Sequence, residues 1–255
     1  MGRGQPPKLI RVEHREFIDH YTAQARALRS AAVDAGPSAP VDTCPLWTVH
    51  DLVRHIAGVN AWALAALRSE SVDERPDWPG APDEWDDLLV WWDERARELA
   101  DELRAADPAK PRWTLVGTET AGFWARRQAH EAAIHRLDAE HARSGADVPP
   151  LLFTPEFAAD GIDEFLTRMT VIAARRRPVE RAGVMVLHAA DAGRAWEVRL
   201  TPGEVPAVGP VTGSGADADT TVAGTADSVF RAVWGRPSGA VVTGDTALLD
   251  ALPRV

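Results

Sequence analysis

Four long stretches in the first part of the chain repeat apolar residues at steps of three and four, the spacing that lines one face of an α-helix. Over residues 13–34 the stripe is Phe17, Tyr21, Ala25, Leu28 and Ala32, and Gly36, Pro37 and Pro40 stop it. A second helix is predicted from Thr48, where Thr48 and Asp51 have the spacing of a capping box with Asp in place of the usual Glu. Its stripe is Leu52, Ile56, Val59, Ala63 and Leu67. Residues 69–82 hold Pro76, Pro79, Gly80 and Pro82 and read as a loop. A third helix over 83–106 carries Trp85, Leu88, Leu89, Trp92, Ala96, Leu99 and Leu103, and Pro108 and Pro111 end it. The fourth is predicted over 118–143, with Gly145 as its stop. Four helices with connections of antiparallel length predict a four-helix bundle over residues 9–145.

The pattern then changes. Gly145, Pro149 and Pro150 mark a boundary at 144–154, and Thr154-Pro155-Glu156 opens a fifth helix that runs to residue 176, with Pro in the favoured first turn. Short strands are predicted at 184–189 and 196–201 around the turn Asp191-Ala192-Gly193, and again at 220–223 and 240–243. Helices are predicted at 226–234 and 246–252, while 205–215 reads as irregular. The fold class is α plus α+β: a bundle followed by a linking helix and a small α+β domain over residues 154–255.

Composition narrows the function. In 255 residues, 45% are hydrophobic and 26% charged, a globular mix that excludes a disordered chain, a coiled-coil rod and a collagen-like polymer. The 38 acidic residues exceed the 28 basic ones, for a net charge of −10, which argues against a nucleic-acid partner. The basic run Arg175-Arg176-Arg177 sits where it caps the negative end of the fifth helix. A single cysteine, Cys44, excludes an internal disulfide and suits a reducing cytoplasm. It has no base at helical spacing to activate it as a nucleophile. No stretch approaches the ~20 apolar residues that span a bilayer, and the Gly/Pro-rich residues 1–8 lead into no signal-peptide core. The expectation is a soluble, cytoplasmic protein with no membrane partner.

The fourth helix carries the candidate chemistry. His130 and His135 are five apart, about 140° around a helix, so they cannot share one metal from one face. Glu131 and His135 are four apart, about 40° from alignment, and can converge on one ion. Trp124, Gln128, Glu131, His135 and Asp138 form one heptad seam; its alternative reading is a solvated outer face. In the second helix His55 falls on the apolar stripe, either as a satisfied core histidine or as a ligand facing the fourth helix. Together His55, Glu131 and His135 would offer two imidazoles and a carboxylate, a set that suits Zn²⁺ or a similar divalent ion with one position open. Asp138, three residues after His135, is placed to orient that imidazole, or to pair with Arg127 or Arg136. Of the ten tryptophans, Trp85, Trp91, Trp92 and Trp124 have core-like spacing, and Trp62, Trp78 and Trp85 flank the long loop as candidate pocket walls.

Four segments carry a resemblance. Trp47-Thr48-Val49-His50-Asp51-Leu52-Val53-Arg54-His55-Ile56-Ala57 resembles the opening signature of the mycothiol-dependent maleylpyruvate isomerase family, and residues 127–138 resemble its second signature. Phe230-Arg231-Ala232-Val233-Trp234-Gly235-Arg236 and Val242-Thr243-Gly244-Asp245 are similar to its ending. The resemblance implies a DinB-like metal-binding four-helix bundle and a C-terminal domain of sterol-carrier-protein type. It implies a divalent metal, usually zinc, on His55, Glu131 and His135, with mycothiol as thiol cosubstrate. It further implies a role for a C-terminal arginine, best matched by Arg236, and an actinobacterial source, which the Ala-, Arg- and Asp-rich composition fits.

The implied chemistry is thiol addition to an electrophilic small molecule. A free thiol is mostly protonated at neutral pH, and a metal deprotonates it. Addition to a cis enone acid makes a double bond single; rotation and elimination then give the trans isomer, whereas an epoxide or leaving group gives a stable thioether. The expectation is a metal- and mycothiol-dependent S-transferase or cis–trans isomerase. A zinc-dependent hydrolase and a non-catalytic ligand-binding bundle are the alternatives.

Overall fold

The computed structural model describes residues 12–212 and 217–254. The first residues expected in the bundle (9–11), the Gly/Pro-rich 1–8, part of the irregular stretch (213–215) and Val255 lie outside the described residues.

Four helices build the N-terminal bundle: α1 (His14–Ala35), α2 (Val49–Arg68), α3 (Trp85–Ala105) and α4 (Ala121–Ser144). The closest pairs are α1 with α4 and α2 with α3, and α2 also lies beside α4. Helices α1–α3 turn their predicted stripes inward, with Leu28, Leu52, Ile56, Trp92 and Leu99 buried, and on α4 Ile134 is buried as well. The capping box at α2 is present: Thr48 accepts from the Asp51 backbone N–H, and the Asp51 carboxylate accepts from the Thr48 N–H at 2.8 Å. That cap fixes the rotational phase of α2, and with it the direction of His55 two turns on.

The region before α4 differs from the expectation. The fourth helix starts at Ala121, and the preceding residues form a two-stranded hairpin, β1 (Pro111–Thr114) with β2 (Gly117–Thr120). Pro111 bars continuation of a helix, Gly117 takes a φ of 111° that closes the turn, and Trp113, Thr114, Thr118 and Thr120 favour the extended chain.

The expected fifth helix is continuous over residues 155–174 but contains a π-helical turn. It begins as α5 (Pro155–Glu164), capped by Thr154, passes through a π-helical turn (Phe165–Met169) and ends as α6 (Thr170–Ala174). A five-stranded mixed sheet follows, ordered β5-β4-β3-β6-β7, from β3 (Gly183–Ala189), β4 (Arg194–Leu200), β5 (Ala207–Gly209), β6 (Thr220–Gly224) and β7 (Val241–Gly244). Strands β3 and β6 are parallel and the other pairs antiparallel. Strand β5 lies in the stretch expected to be irregular; it is a three-residue edge strand without alternation of its own. Helix α7 (Ala226–Val233) lies against β3 and β6, and α8 (Ala247–Asp250) closes the described chain.

One apolar cluster runs from the bundle into the C-terminal domain, joining Phe17, Ile134, Phe157, Phe230 and Leu187. This shared core holds the two halves in fixed relation and brings the α7–β7 loop to the side of the bundle where α2 faces α4. Among the described residues no helix is long and apolar enough to cross a membrane.

Candidate metal centre

Between α2 and α4 the ring nitrogens of two histidines close on one carboxylate oxygen. His55 Nε2 lies 3.1 Å from Glu131 Oε1, and His135 Nε2 lies 3.3 Å from the same oxygen. One ligand atom from each of the three residues lies within 4.8 Å of the other two. Side-chain exposure falls from 31% at His55 to 13% at Glu131 and 9% at His135, so the cluster is approached from the α2 side.

The remaining atoms of His135 and Glu131 are occupied. His135 Nδ1 lies 2.8 Å from Asp138 Oδ2, an arrangement that keeps a ring proton on Nδ1 and directs Nε2 at Glu131. Asp138 is itself fully buried and saturated. Arg236 donates from Nε to Oδ1 at 2.9 Å and from Nη2 to Oδ2 at 2.8 Å, and the Thr43 hydroxyl donates to Oδ1. On the other side, Arg127 Nη2 donates to Glu131 Oε2. This donor set fits a divalent cation: two imidazoles and one carboxylate oxygen, with His135 backed by Asp138 and Glu131 by Arg127.

Electrostatics follow from burial and these partners. Burial disfavours charge on Glu131, but Arg127 and the two imidazoles outweigh it and hold the carboxyl well below its usual range. Burial likewise opposes ionisation of Asp138, and Arg236 and His135 overcome it. His135 is pulled down by burial and up by Asp138 and Glu131, with a net rise to about 9.

A loop that periodicity does not reveal completes the centre. Residues 41–47 are tied by Val41 N–H to Trp47 O at 2.9 Å, Cys44 N–H to Val41 O at 2.9 Å and Trp47 N–H to Cys44 O at 3.0 Å. The Trp47 ring lies 5.0 Å from the His55 ring and 6.1 Å from the His135 ring, covering both. Cys44 Sγ lies 3.5 Å from Asp138 Oδ2 and 3.5 Å from Arg236 Nη2. Cys44, His135 and Asp138 form a second cluster of metal-ligating types, in which the Arg236 guanidinium already supplies the positive charge. Burial and Asp138 push the Cys44 thiol up to about 12, so it is not a thiolate at neutral pH.

Other candidates go elsewhere. Gln128 is buried, and its Oε1 accepts from Asn60 Nδ2 at 2.9 Å in a core network with Tyr21 and Trp92; it is not hydrogen-bonded to His55, Glu131 or His135. Neither Arg127 nor Arg136 pairs with Asp138; Arg236 does, 98 positions away in sequence. Trp62 and Trp78 cluster with Trp113 and Trp124, and Trp85 lies beside His50, so the tryptophan over the imidazoles is Trp47. The available signal for Trp47 was its place directly before the Thr48 cap.

Residues 18–140 match the profile of the mycothiol maleylpyruvate isomerase N-terminal domain, and residues 156–251 match that of the C-terminal domain of the same enzyme. The chain belongs to the mycothiol-dependent maleylpyruvate isomerase family. A crystal structure of the mycothiol-dependent maleylpyruvate isomerase shares the family fold with a TM-score of 0.62 and 16% identity, over 91% of this chain and 93% of that one. The structure of a histidine-to-alanine mutant of a mycothiol-dependent maleylpyruvate isomerase gives 0.64, again at 16% identity and over the same shares. No curated protein matches the chain by sequence.

Proposed function

We propose that this protein is a cytoplasmic, metal-dependent and mycothiol-dependent S-transferase or cis–trans isomerase, in which the thiolate of mycothiol attacks an electrophilic small molecule. The observation that carries the reading is the convergence of His55 Nε2 and His135 Nε2 on Glu131 Oε1, with the other atoms of Glu131 and His135 already engaged. Membership of the family supports mycothiol as the thiol.

His55, Glu131 and His135 would hold the cation, for which Zn²⁺ is the expected occupant. A divalent cation held there supplies a Lewis acid that favours the thiolate over the thiol at neutral pH. Asp138 fixes the tautomer and plane of His135, and Arg236 fixes Asp138 from the C-terminal domain. Trp47 covers the two imidazoles and keeps bulk water from that side, which strengthens the charge interactions inside. His55, the most exposed of the three, faces the side from which thiol and electrophile enter.

Metal analysis of the purified protein, followed by incubation with mycothiol and a panel of cis enone acids, epoxides and halides, tests the proposal. Thioether adducts or isomerised products should form only with the metal-loaded protein. Product without added thiol would support a hydrolase instead, and a metal-free active protein would overturn the reading.

A further inference from the structure

The geometry around Glu131 points to Arg127 as a positioning residue. We propose that Arg127, clamped by Glu164 and Trp234, locks Glu131 so that Oε1 alone is presented to the cation. The proposal rests on the metal-site reading above and extends it to a residue that the sequence offered only as a partner for Asp138.

Glu131 has two equivalent oxygens, and a carboxylate free to rotate can offer either or both to a cation. Here the two are distinguished. Oε1 receives both imidazole Nε2 atoms, while Oε2 accepts from Arg127 Nη2. Arg127 lies one helical turn before Glu131 on α4, and its side chain is only 2% exposed. An arginine held by one contact could swing with its partner; this one cannot. Its Nη1 donates to Glu164 Oε2 at 2.5 Å, and Glu164 is 1% exposed. Its guanidinium carbon lies 5.6 Å from the centre of the Trp234 ring, and Trp234 is backed by Phe165 at 4.9 Å between ring centres. The planar guanidinium is thus held in a corner made by two carboxylates and an aromatic face, the use for which Arg is suited and Lys is not.

The corner is assembled from three distant segments. Arg127 comes from the bundle, Glu164 from the last residue of α5 and Trp234 from the end of α7. Immediately after Glu164 the chain makes its π-helical turn, an irregularity that is rare in helices and recurs at functional sites. Glu164 Oε1 has no hydrogen-bond partner among the described residues. A buried carboxylate with one free oxygen is costly to keep, and a core that needed only packing would favour an apolar residue there. Its retention fits a task for the other oxygen, which holds Arg127.

The test uses zinc ion alone, measured by competition with a chromophoric chelator, with the visible spectrum of the cobalt(II)-loaded protein as a second readout. Arg127→Met/Glu164→Gln removes the clamp together with the carboxylate it would orphan. Helical circular dichroism should persist, zinc affinity should fall about 10- to 100-fold, and the cobalt spectrum should change as Oε2 becomes free to ligate. Arg127→Lys, which keeps the charge but not the fork, should lose at least about tenfold, and it decides the matter if the double variant does not fold. Zinc affinity within about threefold of the parent, or weaker binding with an unchanged cobalt spectrum, overturns the clamp. If the parent binds no zinc, or His135→Ala still binds it, the metal reading falls and the clamp with it.

Discussion

Helix α4 buries two histidines five residues apart, each against a carboxylate, and they are not alike. His135 lies between Glu131 and Asp138, and its basicity rises to about 9. His130 lies 2.9 Å from Asp160 Oδ1, stacks on Phe157 at 4.5 Å and meets Phe17 edge-on at 5.8 Å; burial lowers it to about 4. Arg126 shares Asp160, which weakens that carboxylate's pull on His130. The second nitrogen separates them further. His135 Nε2 faces Glu131 beside His55, whereas His130 Nδ1 has no partner among the described residues and abuts Gly161, where an added Cβ would come within 2.9 Å. A buried histidine with a carboxylate is therefore not by itself a site. His135 differs in having a second acid and a nitrogen that meets Glu131 beside His55.

The largest contrast is in metal content. His135→Ala should abolish stoichiometric metal while leaving helical content intact, and His130→Ala should keep the metal. The His130 change should instead cost ~2–4 kcal/mol of stability, since it leaves a cavity among Phe17, Phe157 and Phe230 and removes one of the two partners of Asp160. Metal analysis beside urea unfolding measures both; metal loss in the His130 variant would erase the distinction. Next in size, Asp138→Asn should weaken metal binding by about 10- to 100-fold, because the amide has one acceptor oxygen in place of two and cannot hold both the Nδ1 proton and the full Arg236 fork. Calorimetric titration with Zn²⁺ reads this directly, and an unchanged affinity would remove Asp138 from the centre.

A smaller effect is the pH dependence of the metal-free protein, in which the two histidines act in opposite directions. His130 has a lowered folded pKa, so the stability it contributes is present above about pH 6.5 and is lost as pH falls through about 4. His135 has a raised one, so its contribution is full below about pH 6.5 and is lost as pH rises through about 9. Urea midpoints at acid, near-neutral and alkaline pH should show His130→Phe flattening the acid limb and His135→Gln the alkaline one. The reverse assignment would break the comparison. Smallest of all, Leu46→Gly should stabilise the loop over the centre by ~0.5–1 kcal/mol without altering metal content. Leu46 is fully exposed and holds a φ of 77°, a backbone state that glycine adopts without steric cost. A loss of stability would show that the Leu46 side chain makes a contact of value in solution.

Much of this arrangement was legible in the chain. The inward phase of His55 on α2 and the pairing of Glu131 with His135 on α4 follow from helical spacing, as does the exclusion of His130 from that pair. The hairpin over 111–120 was missed because its strands are four residues each, too short to show a period. Thr43 was not singled out, and the placement of Cys44 and Trp47 beside the two imidazoles and Asp138 was not read, because loop residues carry no periodicity and that placement depends on backbone bonds within 41–47. Arg127 read as a candidate partner of Asp138, whereas it holds Glu131. Its importance comes from Glu164 and Trp234, which local spacing does not connect to it.

By itself, then, the amino-acid order determined which residues lie along each helix and which face they share, because a 3.6-residue repeat is a local property of the backbone. Only tertiary packing decided that His55 meets Glu131 across 76 positions and that Arg236 reaches Asp138 across 98. Packing also set which of two histidines on one helix becomes more basic and which less. Those outcomes depend on solvent exclusion and on charges brought from distant segments, which act through space and leave no period in the sequence.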